Sequence, residues 1–381
     1  MREEHPVVVA ARRTPIATRG RGLARTGLDG LAAPVLRAVA DDAAAVLGTG
    51  APFADVVLGN CMGPGGNPAR VAALAAGLGH AVPGLTVDRQ CGSGLAAVIA
   101  AAESIRAGDH RPRLAGGAES ASTAPVRSID GVPYDRAPFV PAGFPDPGMP
   151  EAAEDLARAD GIPRSRLDAY AMLSHERAAA AHARGAFSAE IVPVAGLDDD
   201  GLRPGSGCLV ARHVPLFPGG VVTAGNSCRI SDGAAAVALV PSDCERAGGA
   251  GRPAGLALRA HAVTGSDPSL PGAGAAPAVL EALARSGVGT EALAAVELVE
   301  AFAAQTLAVL DRIGVAEDDE RVCPDGGALA WGHPWGASGA VAVVRLFSRL
   351  VRGGAPAGTL GLAAASVGGG LGVAAVFEVV R

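Results

Sequence analysis

A single cysteine stands where a protein chain could readily activate a thiol. Cys91 lies between a short apolar stretch and the Ala-rich run that begins at Leu95, and it is followed by Gly92 and Gly94. The amides and macrodipole of a helix N-terminus favour a thiolate and lower the pKa of a thiol. The glycines would let a substrate approach the backbone closely. The pattern indicates a nucleophile, although an isolated cysteine is also common in an inert core.

A histidine stands at a matching place near the other end of the chain. His333 precedes a second Ala- and Gly-rich run, in which Ser338-Gly339 opens a predicted helix as Ser93-Gly94 does after Cys91. This repeated Ser-Gly step indicates a duplicated unit. We expect the two equivalent helix N-termini to meet and share one site. A buried structural histidine is the alternative interpretation of His333.

Composition excludes several classes of function. The chain has 381 residues, is 49% hydrophobic and carries a net charge of -6, so it can bury a large core and has no basic block for nucleic acid. All 32 basic residues are arginine, which removes lysine Schiff-base and P-loop chemistry. None of the six cysteines has zinc-ligand spacing, so we expect no metal site and a reduced, cytoplasmic setting. We also expect no signal peptide at the N-terminus and no membrane span, because the long apolar stretch 353–377 is rich in glycine.

Apolar periodicity predicts strands and helices in alternation, which is typical of an α/β fold. The predicted strands are 6–11, 56–59, 86–87, 113–117, 256–260, 295–299, 360–365 and 373–379. The predicted helices are 28–47, 67–77, 95–107, 150–160, 164–184, 276–286, 305–313 and 336–350. We divide the chain into a first half at 1–120, an inserted substrate-facing loop subdomain at 121–221, a return to the first half at 222–250 and a second half at 251–381.

Several motifs together resemble the thiolase family over nearly the whole chain. They are the Cys91 loop, the run from Gly332-His333-Pro334 to Gly339, Gly368-Gly369-Gly370-Leu371-Gly372, Asn67-Pro68-Ala69-Arg70 and Thr223-Ala224-Gly225-Asn226. The resemblance implies a duplicated five-layered αβαβα fold, a homodimer or dimer of dimers, and acyl transfer through an acyl-cysteine. It implies a coenzyme A thioester as the substrate and no other cofactor. It assigns Cys91 as the nucleophile, His333 as the base, and the backbone N–H groups of Cys91 and Gly368 as the oxyanion hole.

Two positions depart from the thiolase pattern at catalytic places. Ser366 stands where the family has a cysteine that moves the proton of the second substrate, and a hydroxyl is a much weaker acid than a thiol. Val299 replaces an asparagine that holds an oxyanion-stabilising water. Loss of one oxyanion donor costs roughly 10²–10³ in rate and loss of a general base roughly 10²–10⁴. The acylation half of the mechanism keeps its residues.

The resemblance also assigns residues that face the substrate. Met149 matches an acyl-pocket methionine, Phe302 belongs to the Glu-Ala-Phe step, and Ser227 precedes Cys228 and Arg229 beside the pantetheine tunnel. Cys228 is expected to line the tunnel, and Met149 and Phe302 fit the core equally well. Arg229 could bind a carboxylate or a phosphate, or could be a solvated surface arginine. The segment 196–220, where the family grips coenzyme A with basic residues, has only Arg203 and Arg212, and Cys323 is expected to pack in the core.

Three functions fit these residues. The first is an acyltransferase that loads Cys91 from an acyl-CoA or an acyl-carrier-protein thioester and passes the acyl group to an acceptor in specialised biosynthesis or lipid metabolism. The second is a conventional acetyl-CoA acetyltransferase or 3-ketoacyl-CoA thiolase. The third is a non-catalytic scaffold with the same fold, which the retention of Cys91 and His333 disfavours.

Overall fold

A computed structural model describes residues 5–48, 53–202, 205–244 and 253–381 of the chain. Its strands are β1 Val7–Arg13, β2 Ala17–Thr18, β3 Val56–Gly59, β4 Gly84–Val87, β5 Arg113–Glu119, β6 Arg127–Ile129, β7 Val132–Tyr134, β8 Ser231–Val240, β9 Gly255–Gly265, β10 Leu293–Leu298, β11 Leu360–Val367 and β12 Leu371–Val380. Its helices are α1 Leu28–Leu47, α2 Pro68–Ala75, α3 Ser93–Arg106, α4 Met149–Ala159, α5 Arg164–Ala183, α6 Ala275–Ser286, α7 Ala303–Ile313, α8 Ala328–Trp331 and α9 Trp335–Leu346. The boundary that we drew at 250/251 and the residue Arg203 lie outside the described ranges.

The strand order confirms the internal duplication. The first half runs β4-β3-β5-β8-β1 and the second runs β10-β11-β12-β9, with the two joined edge to edge by β1 and β9. In the first half, β3 pairs with β5 in parallel, β5 with β8 antiparallel and β8 with β1 antiparallel. In the second half, β10 pairs with β11 in parallel, β11 with β12 antiparallel and β12 with β9 antiparallel. A parallel bridge between Val296 and Val322 takes the place that β4 has in the first half.

The helices form three layers around the two halves of the sheet. Helices α1 and α2 pack on one outer face, and α6 and α7 pack on the other. Helices α3 and α9 contact each other between the two halves of the sheet. Side-chain alternation along the strands explains this arrangement, since both faces of each half-sheet must be covered. On β8, for example, Val237 points to the central layer and Ala238 to α1. The fold is the expected αβαβα arrangement.

The central helix α9 changes its geometry near its end. The sequence predicts one helix through residue 350, but the α-helix ends at Leu346 and a π-helical turn follows at Phe347–Arg352. Short π segments are uncommon and recur at functional sites.

The segment between the halves packs mainly on the second half. Helix α4 contacts α7, and α5 contacts α7 and α8, while β6 and β7 form a separate hairpin. No helix within the described ranges is long and apolar enough to cross a membrane.

Candidate active site

Cys91 lies in a tight turn that leads into the central helix α3. The 3-10 turn Gln90–Gly92 connects β4 to α3, and Gln90 has a left-handed φ of 40°. The Ser93 hydroxyl accepts a hydrogen bond from the Arg89 N–H at 2.7 Å and donates one to the Gln90 carbonyl at 2.6 Å. Such backbone strain is held only when surrounding contacts enforce it, and it is common where a reactive side chain must be presented.

The start of α9 reaches this turn because a glycine allows it. A Cβ atom on Gly94 would lie 2.8 Å from the backbone nitrogen of Ala340, so α3 and α9 approach each other there at backbone contact. The two helix N-termini therefore meet, as the echo between Ser93-Gly94 and Ser338-Gly339 predicted.

His333 and Cys91 form a hydrogen-bonded pair across this junction. The Nε2 atom of His333 is 3.2 Å from the Cys91 sulfur, and its Nδ1 atom is 2.6 Å from the Ser338 hydroxyl oxygen. The backbone N–H of His333 donates to the Arg229 carbonyl at 2.8 Å, and the residue is only 2% exposed. In the tautomer that carries its proton on Nδ1, His333 donates to Ser338 and turns the lone pair of Nε2 toward the thiol, and this is the tautomer that a general base requires.

The electrostatics of this pair differ from the sequence-based expectation. Burial, with the Glu119 carboxylate next in importance, raises the pKa of Cys91 to about 12. Burial lowers the pKa of His333 to about 4. Our expectation of a helix-stabilised thiolate is wrong, because desolvation outweighs the N-terminal amides here. At neutral pH the pair is a thiol and a neutral imidazole.

Glu119 is a positioning residue that the sequence analysis missed. It ends β5, is fully buried, and accepts hydrogen bonds from the Cys61 and Met62 N–H groups, each at 3.1 Å, and from the Gly336 N–H at 3.0 Å. It thereby ties the first half of the molecule to the start of α9. The available signal was a carboxylate at the end of an otherwise apolar strand, where an unpaired charge would be costly.

The two proposed oxyanion donors lie in the turns beside the pair. Cys91 is in the turn before α3, and Gly368 follows directly on β11. Within the described ranges, neither N–H group donates a hydrogen bond to another residue. A Cβ atom on Gly368 would lie 2.5 Å from the Phe139 ring, so an aromatic residue of the inserted segment covers this turn.

Ser366 makes contacts that are structural in character. Its hydroxyl donates to the Gly272 carbonyl at 2.6 Å and accepts from the Ala275 N–H at 3.1 Å, at the start of α6. The Gln305 amide is 3.5 Å away. No described hydrogen bond joins Ser366 to Cys91 or His333.

Val299 is buried and lines a small cavity behind the His333 turn. The cavity measures about 20 Å³ and is also lined by Ser338, Glu297 and Arg345. Burial raises the pKa of Glu297 to about 8, and its Oε1 atom has no hydrogen-bond partner among the described residues.

A buried ionic cluster supports the turn that carries His333. Arg13 and Arg345 both pair with Glu190, and Arg345 also pairs with Asp325. Both guanidinium groups lie within 6 Å of the Trp331 ring, two residues before His333. Removing one member of such a buried pair strands the other charge and costs about 3–5 kcal/mol.

Arg229 is half-buried and supports the segment that carries His333. Its guanidinium donates to the Ala330 carbonyl at 2.5 Å, and burial lowers its pKa. Its backbone carbonyl holds the N–H of His333. These two contacts add a supporting role for the His333 segment, and the binding of a carboxylate or phosphate by Arg229 stays a prediction.

Of the other predicted substrate residues, Ser227, Cys228 and Phe302 lie on adjoining segments, and Met149 lies on α4. Ser227 and Phe302 form a bridge between their backbones, and the Ser227 hydroxyl donates to the Thr223 carbonyl at 2.7 Å. Cys228 is half-buried, and its N–H donates to the Ala301 carbonyl at 3.0 Å. Met149 begins α4 and is half-buried.

Cys323 is 1% exposed and belongs to the core, as expected. In the described part of the chain, no group of three or more His, Cys, Asp or Glu side chains could hold a metal ion.

A thiol and an imidazole in hydrogen-bond contact lie at the joint of a duplicated α/β fold, an arrangement that suits acyl transfer through a cysteine thioester. The chain matches the model of the thiolase N-terminal domain over residues 6–243 and that of the thiolase C-terminal domain over residues 254–379. It therefore belongs to the thiolase family.

Proteins of similar sequence and structure are named as acetyl-CoA acetyltransferases. The chain is 38% identical to "Putative acetyl-CoA C-acetyltransferase VraB" of Staphylococcus haemolyticus over 98% of both chains. It is 39% identical to "Putative acetyl-CoA C-acetyltransferase YhfS" of Bacillus subtilis over 98% of this chain and 99% of the relative. The crystal structure of the Bacillus anthracis acetyl-CoA acetyltransferase matches with a TM-score of 0.89 and 32% identity over 99% of both chains.

Proposed function

We propose that this protein takes an acyl group from a coenzyme A or carrier-protein thioester onto Cys91 and transfers it to an acceptor that needs little activation. The 3.2 Å contact between the Cys91 sulfur and His333 Nε2 carries this proposal. It is the one element of the site that is complete for a chemical step, since a nucleophile, a base and an orienting hydroxyl are already in line.

The acylation step follows from the neutral state of the pair. The sulfur attacks the thioester carbonyl while its proton moves to His333 Nε2, and the carbonyl oxygen gains charge beside the N–H groups of Cys91 and Gly368. When the tetrahedral intermediate collapses, the C–S bond to coenzyme A breaks and His333 returns the proton to the departing thiolate. The acyl group is then held as a thioester on Cys91.

The second step differs from Claisen chemistry because its proton carrier is altered. Ser366 is engaged with the start of α6, and Val299 offers no polar atom to hold a water. An amine, a hydroxyl or an already acidic carbon can attack the acyl-cysteine without the removal of a weakly acidic Cα proton that an acyl-CoA requires before it becomes an enolate. We therefore place the reaction in specialised biosynthesis or lipid metabolism.

Intact-mass spectrometry tests the acyl-enzyme directly. The full chain is incubated with acetyl-, malonyl- and longer acyl-CoA thioesters and with acyl-carrier-protein thioesters, and the mass of the protein is measured. We expect one acyl adduct per chain, located on the peptide that contains Cys91. Absence of any adduct, under conditions that trap one in an active thiolase, would contradict the proposal.

Conventional acetyl-CoA acetyltransfer is the second candidate, and the names of the relatives favour it. In that case a water or His333 would take over the role of the missing cysteine. A thiolysis assay with acetoacetyl-CoA separates the two functions. Turnover comparable to that of the Bacillus anthracis enzyme would support this candidate and would show that Ser366 and Val299 are tolerated.

A further inference from the structure

An open cleft lined by arginines lies at the far end of α9. It measures about 370 Å³, within the range of small-molecule sites, and no residue of the catalytic pair borders it. Its arginines are Arg184, Arg345, Arg349 and Arg352, and Ser348 adds a hydroxyl. Three of these five residues belong to the π-helical turn Phe347–Arg352.

The positive charge of the cleft exceeds the negative charge beside it. Asp325 lines the cleft and pairs with both Arg184 and Arg345, and Arg345 is shared with Glu190. Among the described residues, neither Arg349 nor Arg352 forms a contact ion pair with a carboxylate, although Glu297 lies near Arg349, and Glu190 and Asp42 lie near Arg352. Their hydrogen bonds go to neutral groups, which are the Arg321 and Glu320 carbonyls for Arg349 and the Ser348 hydroxyl and Ala11 carbonyl for Arg352.

The arginines that carry this excess charge are partly shielded from water. Arg352 is half-buried, and burial, followed by the neighbouring Arg12 and Arg345, lowers its pKa against the opposing effect of the Glu190 and Asp42 carboxylates. Arg345 is 2% exposed and keeps its Nε–H without a partner in the described part of the chain. Partly desolvated guanidinium groups held against each other are stabilised by an anion that can accept several N–H bonds at once.

We propose that the cleft formed by Arg184, Arg345, Ser348, Arg349 and Arg352 is a binding site for a phosphate or diphosphate group. Phosphate oxygens match the forked geometry of guanidinium better than a single carboxylate does, and they offer acceptors to more than two arginines. The Ser348 hydroxyl, which now donates to Glu190, lies beside the same arginines.

The cleft is separate from the thioester site. Cys91 contacts the N-terminus of α9, and Arg349 lies beyond its C-terminal end. At 1.5 Å per residue, the helix places these two points about 20 Å apart. The α-helix between them is almost entirely buried.

Calorimetric titration of the full chain with sodium pyrophosphate and with inorganic phosphate, at constant ionic strength, tests the site. We expect one ligand per chain. Arg349→Gln should weaken binding by about tenfold, since it removes a charge-assisted contact. Arg349→Lys, which keeps the charge but loses the fork, should weaken it less. Circular dichroism confirms that each variant is folded.

A control variant shows whether any loss of binding is specific to the cleft. Arg111→Gln is the matched control, because Arg111 is an exposed arginine paired with Asp109 away from the cleft, and it should bind as the wild type does. Equal weakening in Arg111→Gln and Arg349→Gln, or no binding at about 10 mM ligand, would overturn the site.

A competition experiment identifies the source of the phosphate group. Excess coenzyme A is added to the protein saturated with pyrophosphate. Simultaneous binding supports a free phosphate compound as the ligand of the cleft. Displacement that Arg349→Gln abolishes supports the phosphates of coenzyme A itself, whereas displacement that Arg349→Gln leaves unchanged overturns the assignment to this cleft.

Discussion

The Cys91–His333 pair and the Ser366–Val299 region belong to one family site but are built differently. In the first, a strained turn, a shared carboxylate and a close helix contact bring two reactive atoms to 3.2 Å. In the second, the Ser366 hydroxyl accepts the Ala275 N–H at the start of α6 and donates to the Gly272 carbonyl, and Val299 is packed in the core. The contrast suggests that forming an acyl-cysteine and forming a carbon–carbon bond place separable demands on this fold, and that this chain meets the first.

Cys91→Ala gives the largest expected effect, because it removes the atom that receives the acyl group. Acyl adducts should disappear completely from the intact-mass spectrum. Cys244→Ala is the matched control, since Cys244 packs beside the α1 layer, beyond the end of β8 that is farther from His333, and it should leave the adduct unchanged. An adduct that persists on Cys91→Ala would show that another residue is the nucleophile. The contrast between the two regions would then be wrong.

His333→Gln should slow acylation by about 10²–10⁴, the usual contribution of a general base. Ser338→Ala should cost only about tenfold, since the imidazole stays in place but loses the hydrogen bond that fixes its tautomer. Rapid-quench mass spectrometry of the acyl adduct measures both rates. Equal loss in the two variants would mean that Ser338 does more than orient the ring.

Much of this arrangement could be predicted from the sequence because it depends on local patterns. Helix α1 has its predicted bounds, 28–47, and β3 has its predicted bounds, 56–59. The repeated Ser-Gly step predicted that two helix starts would meet, and the distance between Cys91 and His333 confirms it.

What the sequence could not provide depends on tertiary packing. The direction of the Cys91 pKa shift was wrong because helix amides are visible in a sequence, whereas desolvation appears only when the chain is folded. The contact of Phe139 with Gly368 joins segments more than two hundred residues apart. The roles of Glu119 and Arg229 likewise come from partners on distant elements, Gly336 and Ala330.

The double variant Ser366→Cys with Val299→Asn should sharpen the comparison by restoring the family residues. We expect thiolysis of acetoacetyl-CoA to rise by about tenfold or more, because a thiol can carry a proton that a hydroxyl cannot near neutral pH. The rate of acyl-Cys91 formation should stay within about twofold of wild type, since neither residue contacts the thiol pair. Ser366→Ala is the control and should not raise thiolysis. A wild-type rate that already equals the double variant would refute our account of the second region.

The smallest expected effect is that of pH on acylation. Burial lowers the pKa of His333 to about 4 and raises the pKa of Cys91 to about 12. Neither group therefore changes its protonation between pH 6 and 9. The rate of acyl-Cys91 formation should vary by less than about twofold over this interval and fall as His333 becomes protonated toward pH 4. Alkylation of Cys91 by iodoacetamide depends instead on the thiolate alone, and it should rise about tenfold per pH unit in the same interval. If alkylation levels off near pH 7, the pair is an ion pair, and the acylation site works through a preformed thiolate rather than through a proton transfer to His333.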